Sequence, residues 1–194
     1  CSSLTNIMLP EGTEVLGTCC FADCKALESI NLPSSLREIG GQSFHRCKLK
    51  GNLVIPEGIE TLRWACFADC EALESINLPS TLREIESSCF SGCLKLQGKL
   101  VVPEGVEKLG DGCFFRTSFT SLSLPSTLRE IGDNCFSDCW KLQGNLAIPK
   151  GVERLGDRSF AFTSITSISL PNTIREIGDK CFQGCDKLVE NQNG

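Results

Sequence analysis

The chain has no tyrosine and one histidine, His45, in 194 residues. His45 occupies a place that other segments fill with Ala22, Ala68, Ser91, Phe115, Ser137, Ala161 and Gln183, so it reads as a variable surface position. A Cys–His nucleophile would need an orienting third group and oxyanion donors, and no segment supplies them. No G-x-G-x-x-G, phosphate loop or H-E-x-x-H occurs. These absences point away from an enzyme, and no cofactor or metal is expected. Basic charge is also short. Lys and Arg number 19 against 24 Asp and Glu, a net charge of −5, which argues against nucleic acid as a partner. No apolar run approaches the roughly 20 residues of a membrane helix, so no membrane insertion is expected of this segment. No leader-like stretch opens the sequence, and the absence of an Asn-x-Ser/Thr acceptor counts against a glycosylated ectodomain.

What the chain has is a register. Its eight prolines, Pro10, Pro33, Pro56, Pro79, Pro103, Pro125, Pro149 and Pro171, are spaced 23, 23, 23, 24, 22, 24 and 22 residues apart. Eleven residues after each stands a phenylalanine: Phe21, Phe44, Phe67, Phe90, Phe114, Phe136, Phe160 and Phe182. Units of this size cannot bury an apolar face alone, so they must stack as a solenoid. Before each proline, apolar residues alternate, as in Ile30 and Leu32 or Ile76 and Leu78, which reads as a strand with one buried face. The proline ends it, having no N–H for the ladder. A second apolar pair follows, from Leu36 and Ile39 to Ile174 and Ile177, and reads as a short extended segment before a turn or helical bend at the Phe. Cys1 falls in phase with Cys24, so residues 1–194 are expected to form a single repeat domain that starts inside a unit and belongs to a longer array.

Strings such as LESINLPSSLREIG and ITSISLPNTIREIGDKCFQGC resemble the leucine-rich repeats, most closely their BspA-like class, over residues 4 to 188. The resemblance implies a right-handed coil with a parallel sheet along one face. It also implies a surface-exposed or secreted protein that adheres to cells, matrix or host proteins. One departure is a double period: units of type LP(S/N)(S/T)(L/I)REI alternate with units of type P(E/K)G(T/I/V)E, giving a super-period of about 46 residues. The fourth residue after each proline alternates in sign without exception: Glu14, Arg37, Glu60, Arg83, Glu107, Arg129, Glu153, Arg175. At a stacking distance of roughly 4.8 Å each acid is expected to sit between two bases, which sets register. Glu38, Glu84, Glu130 and Glu176 at the next place face Lys108 and Arg154.

Fourteen cysteines invite a disulfide or metal reading. Thirteen are in phase, at the tenth or fourteenth place after proline, where Ser43, Ser159, Thr117 and Thr163 stand in other units. Small residues flanking an inward Phe describe a crowded interior, and buried free thiols fit it. Bridges between neighbouring units remain an alternative at this stacking distance, whereas zinc would need two close-spaced ligand pairs.

Candidate partner contacts are the outward strand residues Ser29, Asn31, Asn52, Ser75, Asn77, Lys99, Ser121 and Asn145, a small neutral surface. To these are added two tryptophans that break pattern, Trp64 and Trp140. Phe115 and Phe162 also break pattern and are expected to refill shortened turns. Three functions stay open: a cell-surface or secreted adhesion module with a protein or glycan partner, a cytoplasmic protein-interaction scaffold, and an ice- or crystal-surface binder suggested by the Ser/Thr rows of TSLSL and ITSISL.

Overall fold

The computed structural model describes residue 1 and residues 3–189; the last residues of the domain expected over 1–194 lie outside the described residues. In chain order the strands are β1 (Asn6–Met8), β2 (Val15–Leu16), β3 (Ser29–Asn31), β4 (Glu38–Ile39), β5 (Gly51–Val54), β6 (Thr61–Leu62), β7 (Leu73–Asn77), β8 (Glu84–Ile85), β9 (Gln97–Val101), β10 (Lys108–Leu109), β11 (Ser118–Ser123), β12 (Glu130–Ile131), β13 (Gln143–Ala147), β14 (Arg154–Leu155), β15 (Ser164–Ser169) and β16 (Glu176–Ile177). The fold is a β-solenoid of eight coils, and no helix forms among the described residues. Each coil has one strand before its proline and a two-residue strand after it. All pairings are parallel.

Continuity lies on an unexpected side. The strands before the prolines pair two by two, β1 with β3, β5 with β7, β9 with β11 and β13 with β15. The unbroken ribbon is the short one, six strands from β6 to β16. Each two-strand pair joins a strand that precedes Pro-Glu/Lys-Gly or its equivalent to one that precedes Pro-Ser/Asn-Ser/Thr.

Between the sheets the interior is built as columns. Seven consecutive Phe contacts run the length of the solenoid with ring centroids 5.2–5.9 Å apart and planes within 18°, inside the range for offset stacking. The inward residues of the short ribbon, from Ile39 to Leu155, are fully buried. At the fourteenth place after proline, Cys47, Cys70, Cys93, Cys139 and Cys185 each donate an S–H to a Phe carbonyl of the preceding coil at 3.1–3.2 Å. Thr117 and Thr163 donate instead to the Phe carbonyl of their own turn, at 3.0 and 2.9 Å. A small donor is what this place requires, which is why Cys alternates with Thr and never with Ala.

Eleven of the fourteen cysteines are buried and all are free. The exceptions are Cys1, Cys19 and Cys20; Cys20 is in phase, but no earlier coil covers it. Burial pushes the Cys47 and Cys139 thiols up to about 12. It carries those of Cys66, Cys70, Cys89 and Cys113 well above their ordinary value, with adjacent thiols adding to the effect.

The expected charge ladder is corrected in its column. At the fourth place only Arg175 and Glu153 pair, at 3.2 Å, among the described residues. Arg37 donates to the carbonyls of Ser34 and Leu36 at 2.8 and 3.0 Å, Arg83 to Leu82 at 3.2 Å, and Arg129 to Gly151 at 3.2 Å. Turn carbonyls lie nearer to these guanidinium groups than the stacked carboxylates do. The ion pairs run one place further on, inside the short ribbon. Arg154 bonds Glu130 at 3.1 Å and Glu176 at 3.2 Å, and Lys108 reaches Glu130 at 3.5 Å.

The same arginines explain the double period. A Cβ on Gly58 would stand 2.7 Å from the Arg37 guanidinium, and Gly105 and Gly151 are covered in the same way by Arg83 and Arg129. In the other direction the Gly58 N–H donates to Thr81 Oγ1 at 2.9 Å, and Glu57 accepts from the Ser80 N–H at 3.1 Å. Gly105 with Thr127 and Glu104 with Ser126 repeat this at 2.9 and 3.2 Å. Each turn type therefore fits only the other type on either side.

Candidate functional site

The expected contact residues divide by location. Ser29, Asn31, Asn52, Asn77, Lys99 and Asn145 are exposed, and Ser75 and Ser121 half-buried, on the strands before the prolines. Some of their polar groups are engaged from coil to coil. Ser75 donates to Asn52 at 2.9 Å and Ser167 to Asn145 at 3.0 Å, and Ser29 bonds Asn6 in the same manner. What projects beyond them is apolar and scattered, with Met8 at 84%, Val54 at 58% and Val101 at 57% exposure.

The two tryptophans are separated. Trp64 lies across Gly41, leaving no room for a Cβ there. Its N–H donates to Glu86 at 2.8 Å. It packs over Gly41, is 48% exposed, and lines neither of the two clefts described below. Trp140 is 63% exposed and stands at the corner where the chain leaves the buried Cys and enters the next strand. That corner varies in length from coil to coil, as does the strand segment that follows it. In Cys24–Leu27, Cys70–Leu73, Cys93–Leu96, Cys139–Leu142 and Cys185–Leu188 two residues separate the ends, and the Leu N–H closes a turn onto the Cys carbonyl at 2.8–3.1 Å. In Cys47–Leu49, Thr117–Phe119 and Thr163–Ile165 only one residue intervenes and no such turn forms. The long corners project and the short ones are recessed, so the edge is scalloped.

Both principal clefts sit on recessed corners. One, of about 690 Å³, has Cys47 and Lys48 at its centre between Lys25 on one side and Glu71, Ala72, Leu94 and Lys95 on the other, with Arg46 and Asp69 on its wall. The second, of about 390 Å³, has Ser118 at its floor between Leu94 and Trp140, with Arg116, Asp138, Lys141 and Phe162 around it. Leu94 lines both, so the two clefts adjoin along the edge. Three large apolar side chains are uncovered there: Leu94 at 45%, Trp140 at 63% and Phe162 at 46%. The Ser118 hydroxyl is engaged by the Leu94 carbonyl at 2.8 Å, and the Lys141 ammonium lies 4.9 Å from the Trp140 ring centroid.

Phe162 stands at φ 57, a left-handed conformation that a bulky residue seldom adopts. The equivalent places hold Asp23, Arg46, Asp69, Arg116 and Asp138, all left-handed, and Gly92 and Gly184. Neither Phe162 nor Phe115 refills a shortened turn, as the sequence suggested. Phe119 does so in its coil, 2% exposed and edge-on to Phe114 at 5.8 Å, and Ile165 does so in the other. They stand where Leu27, Leu49, Leu73, Leu96 and Leu142 are buried in other coils.

His45 lies with its Nε2 3.4 Å from an Asp69 oxygen, with no nucleophile arranged against it. Sequence reasoning named Trp140 but missed the groove. The signal was present as C-x-x-L against C/T-x-L, a one-residue difference hidden by a longer strand segment in the Cys47 unit and open to view in the two 22-residue units.

A family profile described as BspA type leucine-rich repeat region (6 copies) matches residues 1–115 and again 107–192. Among solved structures, the leucine-rich repeat protein of T. pallidum is 25% identical, with a TM-score of 0.73 over 96% of this chain and 79% of that one. A leucine-rich repeat protein from Bacteroides ovatus is 26% identical, with a TM-score of 0.53 over 97% of this chain and 72% of that one. The pneumococcal vaccine antigen PcpA shares the fold at 20% identity and a TM-score of 0.56, over 94% of this chain and 55% of its own. No curated protein is detectably similar in sequence.

Proposed function

The chain belongs to the BspA-type leucine-rich repeat family, and from that premise we propose that it is a non-catalytic module that binds a macromolecular partner along its scalloped corner edge. Repeat proteins of this family are generally non-catalytic, and binding is the function their extended surfaces serve. The observation that carries the choice of surface is the groove of recessed corners, with Leu94, Trp140 and Phe162 uncovered in it. Exposed aromatic residues in a concave, partly apolar site are what interface anchors look like. Among the described residues the strand face offers no exposed aromatic side chain, only the scattered Met8, Val54 and Val101.

We include in this reading display at a cell surface, which follows the family resemblance; an intracellular scaffold is the alternative. Protease treatment of intact source cells separates them, since only a displayed protein is cleaved. The edge itself is tested with immobilised chain and solutions of matrix protein, mucin and sulfated glycan. Wild type should retain one of these classes, and the double variant Lys48→Glu/Trp140→Ala should lose at least tenfold in affinity. The strand-face variant Asn52→Ala/Asn145→Ala should behave as wild type. Loss in the strand-face variant with the edge variant unaffected would overturn the assignment.

A further inference from the structure

The groove is chemically divided along its length. Around the recess at Lys48 the cations Lys25, Lys48 and Lys95 have no ion-pair partner among the described residues. Arg46 is shared with Asp69 at 3.7 Å. This is a local surplus of positive charge on a chain of net charge −5, and unpaired cations beside a cleft attract an anionic ligand. Around the recess at Ser118 the apolar side chains Leu94, Trp140 and Phe162 are uncovered, interleaved with Arg116, Asp138 and Lys141. A sugar stacked on Trp140 would have to displace the ammonium that lies 4.9 Å from the ring centroid, and the floor hydroxyl is already donated to the Leu94 carbonyl. An inserted apolar side chain needs no free hydroxyl.

Resting on the edge-binding reading above, we infer that the occupant is an extended acidic peptide segment of a protein partner, with one bulky apolar side chain set apart from its carboxylates. The carboxylates lie over Lys48 and its neighbours, and the apolar side chain enters beside Trp140. The two recesses are three coils apart, about 14 Å at roughly 4.8 Å per coil. An extended chain rises about 3.3 Å per residue, so the separation in the peptide is about four to five residues.

The test uses a displayed library of random dodecapeptides panned on the whole chain. Enriched sequences should carry two or more Asp/Glu and a Phe, Leu, Ile or Trp about four to five positions away. A synthetic peptide from that set should bind at least tenfold more weakly to Lys48→Glu and to Trp140→Ala, both still folded by thermal melting, and equally well to Asn52→Ala. Its affinity should fall as salt rises from 50 to 300 mM. If no such pattern is enriched, while a sulfated glycan binds and is lost on Lys48→Glu, the peptide inference is overturned and the edge assignment stands. If enriched peptides lose affinity on Asn52→Ala and not on the edge variants, both are overturned.

Discussion

The turn after each proline and the corner after each buried Cys are made by the same eight repeats, yet they treat irregularity in opposite ways. At the proline turn every departure is answered by a neighbour. Where Arg37, Arg83 or Arg129 reaches over, the next coil has a glycine, and where that glycine presents its N–H, the following coil has a hydroxyl. At the corner, departures are left uncovered: one-residue shortenings open clefts, and Leu94, Trp140 and Phe162 face solvent. Compensated irregularity is what stacking demands, whereas the uncompensated irregularity of the corner is what the proposed binding edge rests on.

The contrast breaks most visibly in alkali. Burial raises the thiols of the interior columns, so the folded pKa lies above the unfolded one near the ordinary 9.0. Stability is then complete below about pH 8.5 and is lost as pH climbs toward the folded values. At pH 10 the loss approaches ~1.4 kcal/mol for each strongly shifted thiol, and with Cys47, Cys66, Cys70, Cys89, Cys93, Cys113 and Cys139 all shifted upward the sum exceeds any single substitution. Urea midpoints between pH 7 and 10.5 should fall steeply, and a flat profile would mean the thiols are not held in the interior.

Next in size is Phe90→Ala, expected to cost about 3–5 kcal/mol in a denaturant titration. Trp140→Ala, though it removes a larger ring, should stay within about 0.5 kcal/mol. Similar losses for both would erase the distinction between column and corner.

Glycine substitutions sharpen it at the proline turn. Gly105→Ala meets both the Arg83 guanidinium and a φ of 100, whereas Gly12→Ala, at φ 94, meets nothing within 4 Å. The first should cost about 2–3 kcal/mol and the second about 1. Combining Gly105→Ala with Arg83→Ala should recover most of the difference.

The smallest effect belongs to the Cys column. Cys93→Ala removes the donor to the Phe67 carbonyl and should cost about 1 kcal/mol or slightly more. Cys93→Thr, which keeps a donor as Thr117 does, should cost less.

Much of the interior was legible in advance, because a residue that must stack on its own image repeats without variation; the Phe column and the in-phase Cys are of this kind. The alternation of turn types was equally plain, but its cause was not, since Arg83 carries a charge and only the geometry shows it lying over Gly105. The groove was least legible. It arises from the difference between Cys93-Leu94-Lys95-Leu96 and Thr117-Ser118-Phe119, which is visible as units of 24 and 22 residues, but only stacking turns a missing residue into a recess between neighbours.

That recess can be closed with the Phe column left intact, Thr117 and Phe119 being exchanged for the Cys and Leu that other coils carry at those places. Replacing residues 117–119 by a copy of the four-residue corner 93–96 would raise the floor between Leu94 and Trp140. If the recessed corners form the binding surface, this variant should keep its unfolding free energy within about 1 kcal/mol and lose at least tenfold in affinity for an edge-selected peptide. Unchanged affinity in a chain whose recess has been filled would contradict the account.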